Sequence, residues 1–232
     1  MSKRSNGVEK RLLAIGYVWP EPNSSAAGKH MLSLLAHFAQ MGYSIIFASP
    51  AQLGDHKVDL TQLGYTEVNI KLNCGSFDEF VTTLDPQIVL FDRYMMEEQF
   101  GWRVSKCCPN ALRILDTEDL HFLRDASHKA HKSGTSLTPD LLKSELAIRE
   151  IAAIYRSDLT LIISDYEMDL LQKTFHIDPK MLVHCPFMLD VSETSFTPLA
   201  FEQRQHFVSI GNFRHAPNWD AVLYLKQTIW PL

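Results

Sequence analysis

The chain has no apolar run near the roughly 20 residues that cross a bilayer, so no transmembrane segment is expected. Its start, MSKRSNGVEKR, is basic, but the apolar stretch behind it, Leu12 to Trp19, is broken by Pro20 and Pro22. A secretory signal needs a longer apolar core and a small-residue cleavage site, so residues 1–10 read as a disordered polar N-terminus. Cysteine is scarce. Cys74, Cys107, Cys108 and Cys185 match neither a zinc knuckle nor a redox CxxC pair, and reduced thiols in a cytoplasmic protein are the expectation. A basic excess is also lacking: 22 basic against 27 acidic residues give a net charge of −5, which argues against a broad nucleic-acid surface. Neither GxGxxG nor a Walker A loop occurs, and no nucleophile elbow is present.

What is present is an alternation. The 232 residues, 46% hydrophobic and 21% charged, suit one full core and part of a second. Short apolar strands are expected at Arg11–Val18, Ser44–Ser49, Val68–Leu72, Gln87–Phe91, Leu112–Leu115, Leu159–Ile163 and Met181–Cys185. Between them lie helical patterns. The first places Met31, Leu34, Leu35 and Phe38 on one face and His30 on the other, and Gly42 ends it. Ser76 with Glu79 reads as a capping box. Asp119–Lys132 and Asp140–Tyr155 read as helices, the second with a Glu145/Arg149 pair. The fold class is therefore α/β, a doubly wound, mostly parallel, Rossmann-like sheet over residues 11–191. Residues 192–205 read as a linker. His206–Ile210 then reads as a strand, Gly211-Asn212 as a turn and Asn218 as a helix N-cap. That last stretch is shorter than the roughly 30 residues of a βαβ unit and is expected to be the truncated start of a second α/β domain.

Parallel sheets bind ligands beyond the carboxyl ends of their strands, which directs attention to five loops: Trp19–Gly28, Asp92–Tyr94, Asp116–His121, Ser164–Glu167 and Pro186–Asp190. Gly28 precedes a helix N-terminus, where free N–H groups favour an anion; a purely structural loop fits equally. The string Asp116-Thr-Glu-Asp-Leu-His-Phe-Leu-Arg124 is the densest polar cluster. Asp116, Asp119, His121 and Arg124 supply carboxylates, an imidazole and a guanidinium within about two helical turns. His121 beside a carboxylate can deprotonate a hydroxyl or hydrogen-bond it, whereas Asp119 can instead cap the helix. Asp92-Arg93 follow a strand and suit an ion pair or a ligand contact. Ser164 and Glu167 follow another, with Ser164 also placed to cap a helix. His121, His128 and His131 could suggest a metal, but His128 and His131 are flanked by lysines with no carboxylate ligand placed with them, so no metal is expected.

Four of these segments, in order, resemble one family. AAGKHMLSLLAHFAQMGYSIIFAS after the first strand, DTEDLHFLR, DLTLIISDYEMDLL and GNFRHAPNWDAVLYL are similar to the corresponding segments of GT-B-fold glycosyltransferases (group 1, family 4-like). The resemblance covers nearly everything from Arg11 onward. It departs at Ala26-Ala27-Gly28, where the family often has paired glycines, and at Pro186-Phe-Met-Leu-Asp190. The resemblance implies transfer of a sugar from a nucleotide-sugar donor to a sugar or glycan acceptor hydroxyl, with neither metal nor cofactor. It assigns Asp119 and His121 to catalysis and Asp116, Arg124, Asp92, Arg93, Ser164 and Glu167 to the acceptor. Gly28, Gly211, Asn212, Phe213 and Arg214 go to the donor. The family implies retention, whereas a His or Asp base would suit inversion. The donor's main binding elements are missing from the sequence, so a C-terminal half or a partner chain is expected to complete the site. The alternative is a non-catalytic, acceptor-side or partner-binding domain.

Overall fold

A computed structural model describes residues 9–54, 56–188, 197–213 and 215–232. The expected alternation is there. The elements run β1 (Arg11–Ile15), α1 (Ala26–Gln40), β2 (Ser44–Ser49), β3 (Thr66–Asn69), α2 (Ser76–Leu84), β4 (Ile88–Asp92) and α3 (Tyr94–Cys107). They continue with β5 (Leu112–Asp116), α4 (His121–Lys132), α5 (Glu145–Arg156), β6 (Leu159–Ile162), α6 (Asp165–Lys173), β7 (Leu182–His184) and α7 (Ala216–Tyr224). The strands form one sheet in the order β3-β2-β1-β4-β5-β6-β7, and every pairing is parallel.

Because successive side chains of a strand point to opposite faces, the sheet is buried on both. Leu13, Ile15, Val89, Phe91 and Leu115 join the core under α2 to α6. Leu12, Ala14, Phe47, Leu90 and Ile114 join the core against α1, with Met31, Leu34 and Leu35. This explains why the strands read as unbroken apolar runs. The order reverses between β1 and β4, with Leu12 beside both Ile45 and Ile88. That is the switch point of a doubly wound sheet, where a crevice opens at the carboxyl ends.

Several local expectations need correction. His30 is 1% exposed, because the chain after β7 returns over α1 and sets Phe187 edge-on to the His30 ring at 5.0 Å. Ser76 does not cap α2: the N-cap is Gly75 without a side-chain bond, and the Ser76 hydroxyl donates to Cys74 Sγ. α5 begins only at Glu145, where Ser144 accepts from Ala147 N. Arg149 pairs with Glu98 on α3 at 2.5 Å, since a neighbouring helix brings a carboxylate into bidentate geometry. α7 starts at Ala216, so Asn218 sits inside it and donates to Asn212 O. The strand expected at His206–Ile210 is absent. Those residues are irregular, and Phe207, Val208 and Ile210 stand more than four-fifths exposed; a strand forms only beside a partner, and no strand among the described residues lies there. Glu9 and Lys10, expected within the disordered start, engage Ser44 and Tyr43. Residues 1–8 and 192–196 lie outside the described residues, as does Arg214.

Candidate functional site

The loops at the switch point bring together residues that the sequence holds far apart. Asp92 closes β4 and Asp116 closes β5, side by side in register. Asp92 Oδ2 accepts from the Tyr17 backbone N–H at 3.0 Å and from Arg93 Nη1 at 3.2 Å, while Asp116 Oδ1 accepts from Glu118 N at 3.3 Å. Asp92, Asp116 and Glu118 are all at least nine-tenths buried. Burial disfavours the charged form of each, and repulsion from neighbouring carboxylates adds to it at Asp116 and Glu118. Asp92 is raised, Asp116 is pushed up to about 7 and Glu118 to about 8. Asp116 and Glu118 therefore bind protons near neutral pH. His30 reaches in from α1, its Nε2 3.9 Å from Asp116 Oδ1, and burial lowers its pKa.

The backbone here is strained. Arg93 has φ 70° and ψ 156°, a region almost confined to glycine, and Glu118 has φ 61°. Arg93 N nonetheless donates to Asp116 O at 2.7 Å, tying the two strand ends together.

Next to this group stands the predicted cluster of the β5–α4 loop. Asp119 does not cap α4. It pairs with Arg124 at 2.9 Å and lies 3.7 Å from His121 Nε2. The helix N-terminus is instead held by two buried glutamates from other helices. Glu150 of α5 accepts from His121 N at 3.2 Å and Phe122 N at 3.0 Å, and Glu167 of α6 accepts from Leu120 N at 2.9 Å. Asp119 is thereby left available to its neighbours' side chains. His121 is mostly buried, edge-on to Tyr94 at 5.6 Å. Burial and the Arg124 charge lower its pKa to about 4, so it is a neutral imidazole. Burial also pushes Glu150 up to about 7, against the two N–H groups that favour its charged form.

Of the other expected residues, Ser164 caps α6 by accepting from Glu167 N at 3.2 Å. Gly28 sits where a Cβ would lie 2.6 Å from Glu21 N, and its N–H donates to the Ser25 cap at 3.0 Å. Gly211, Asn212 and Phe213 are exposed ahead of α7. The structure thus gathers Asp92, Arg93, Asp116, Asp119, His121 and Arg124 and gives Ser164 and Glu167 positions at helix starts. Sequence reasoning missed Glu118, His30 and Glu150. Glu118 stood within the chosen string; the other two have no local signal, because only the tertiary fold brings α1 and α5 to this point. No group of three or more His, Cys, Asp or Glu among the described residues could hold a metal ion. No described helix is long and apolar enough to cross a membrane.

No family model matches the chain, and no curated protein matches it. Solved structures do. A lipopolysaccharide outer core galactosyltransferase, WaaB, in its apo form superposes with a TM-score of 0.52 and 11% identity, over 84% of this chain and 50% of that one. A sucrose-phosphate synthase from Thermosynechococcus elongatus gives 0.45 and 12%, over 76% and 48%. An alpha-glucosyltransferase in complex with UDP and DNA gives 0.41 and 11%, over 75% and 42%. The chain spans about half the length of these proteins. At such identity the likeness to the galactosyltransferase shows the fold: a seven-stranded, all-parallel α/β unit of the kind that makes up half of a GT-B glycosyltransferase.

Proposed function

We propose that the chain forms the acceptor side of a glycosyl-transfer site, at which a sugar passes from a nucleotide-sugar to an acceptor hydroxyl. The observation that carries this reading is the convergence of Asp119, His121 and Arg124 with Asp92 and Arg93 at the switch point of a sheet with a galactosyltransferase's fold. His121, neutral because it is buried, has a free lone pair to accept a proton or hydrogen bond from the acceptor hydroxyl. Asp119 stabilises the imidazolium that would result, and Arg124 orients Asp119. Asp116, Ser164 and Glu167 frame the acceptor loops. Gly28 and the turn Gly211 to Arg214 belong to the donor side in this reading, with residues 206–232 as the opening of the donor-binding unit. The nucleotide-sugar is a substrate, and no metal is given a role.

The test is transfer from UDP- and GDP-sugars by the chain joined to the C-terminal half this reading requires, assayed by nucleotide release with an acceptor panel. His121→Ala should lower turnover by about 10²- to 10⁴-fold, and undiminished turnover would remove His121 from the reaction. A second reading, a non-catalytic partner-binding domain, is favoured by the exposure of Phe207, Val208, Ile210 and Trp230. It predicts no nucleotide release with any donor.

A further inference from the structure

A small pocket opens between the β1–α1 loop and the ends of β4 and β5, walled by Trp19, Pro20, Gly28, Asp92, Arg93 and Glu118. The space left in it is about 10 Å³, room for roughly one water-sized group. Glu118 is 6% exposed, and among the described residues its carboxyl has neither a hydrogen-bond nor an ion-pair partner; only its backbone N–H is engaged. Asp92 commits Oδ2 to Tyr17 and Arg93 but leaves Oδ1 buried and unpaired. Behind them, both ring nitrogens of His30 are buried without a hydrogen-bond partner, with Nε2 3.9 Å from Asp116.

Folded chains leave few buried polar atoms unpaired, and here Asp92 Oδ1 lies in the pocket wall, with Asp116 Oδ2 and the His30 ring nitrogens behind it. The contrast with the buried acids next door is informative. Glu150 and Glu167 are also buried, yet both accept from backbone N–H groups at the start of α4, Glu150 with both oxygens and Glu167 with Oε1 alone. Glu118 serves no such purpose.

The chemistry of the walls selects the ligand. Arg93 offers N–H donors, and Asp92 and Glu118 offer oxygen atoms. A hydroxyl both donates and accepts, so it fits a pocket with both kinds of partner. A phosphate or carboxylate would face two acids for one guanidinium, with Asp116 behind them. An ammonium would find no acceptor role for the Arg93 donors. We propose that this pocket takes one hydroxyl of a neutral sugar, with Glu118 as a ligand-contacting residue completed by Asp92 and Arg93. The inference rests on the glycosyl-transfer reading in that the hydroxyl belongs to the acceptor.

The experiment is a saturation-transfer NMR titration of the full chain with the methyl glycosides of glucose, galactose and mannose, beside glucosamine and glucose 6-phosphate. At least one methyl glycoside should bind, and better than the charged probes. Glu118→Leu should weaken that binding by about tenfold or more. Glu118→Gly should do the same while melting at or above the wild-type temperature, because glycine accepts the positive φ without strain. A well-folded Gly variant that binds as wild type does would overturn the proposal. So would a wild type that binds none of the glycosides, or one that prefers the amine or the phosphate. Glu118-dependent glycoside binding, with no nucleotide-sugar turnover even when the chain is joined to a C-terminal half, would uphold the pocket and count against the transfer reading alone.

Discussion

Gly28 shows how narrowly one residue can be constrained. A Cβ there would lie 2.6 to 2.8 Å from the backbone N, C and O of Glu21, and backbone cannot swing aside as a flexible side chain can. Gly28→Ala should therefore destabilise the protein by about 1–3 kcal/mol, and it should shift the loop that walls the pocket; a melt unchanged from wild type would show that the loop yields freely. In the sequence the position was legible as important, since a lone glycine opened the first helix, but its reason was not. A phosphate approach and a tight backbone contact call for the same residue, and only the path of Glu21 distinguishes them. His30 was misread for a related reason: helical periodicity sorts the faces of an isolated helix, but the segment after β7 covers α1 from its second side.

At the scale of elements, the start of α4 depends on two others. Helix N-termini leave N–H groups without intrahelical partners, and here Glu150 and Glu167 accept three of them across the packing of α4 on α5 and α6. Glu150→Ala would leave the His121 and Phe122 N–H groups orphaned in a buried place. The expected cost is about 2 kcal/mol or more, read as a lowered denaturation midpoint, with Glu150→Gln intermediate because it keeps one acceptor oxygen. A variant as stable as wild type would mean that water or Asp119 takes over the cap. The element pattern itself was largely legible: each of the seven sheet strands was foreseen within a few residues, the central ones because burial on both faces writes a continuous apolar run. The strand at Phe207–Ile210 was foreseen by the same rule and does not form. Apolar sequence supplies the propensity; the hydrogen-bonded neighbour has to come from elsewhere. The capping pattern of α4 was illegible for the complementary reason, that its acceptors lie on other helices.

For the whole molecule, the buried acids set how stability follows pH. Asp116 at about 7, Glu118 at about 8 and Glu150 at about 7 titrate well above the roughly 4 of an unfolded chain. Each group binds its proton more tightly when folded. Its contribution is therefore complete below pH ~4 and is lost as pH rises through the folded values. Glu98 and Asp158, held low by Arg149 and Arg113, and His121 and His30, lowered by burial, work the other way and lose their contribution as pH falls through their folded values, but the more numerous raised acids set the trend. Stability should peak in mild acid and decline between about pH 5 and 8, measured as the melting temperature across that range. The combined Asp116→Asn and Glu118→Gln variant should flatten the decline. A wild-type profile that rises over the same interval would contradict the assignment of protons to these groups.

The strand order also dictates when the cleft can come into being. β1 and β2 are joined by one helix and can pair early, but Leu12 meets Ile88 and the Tyr17 N–H meets Asp92 only after about a third of the chain has been threaded between them. Such distant closures come at a high entropic cost and slow the folding of parallel sheets. The pocket has no existence in the parallel β1–α1–β2 unit alone. It needs β4 docked against β1 and β5 against β4, so its carboxyls meet only when the centre of the sheet is assembled.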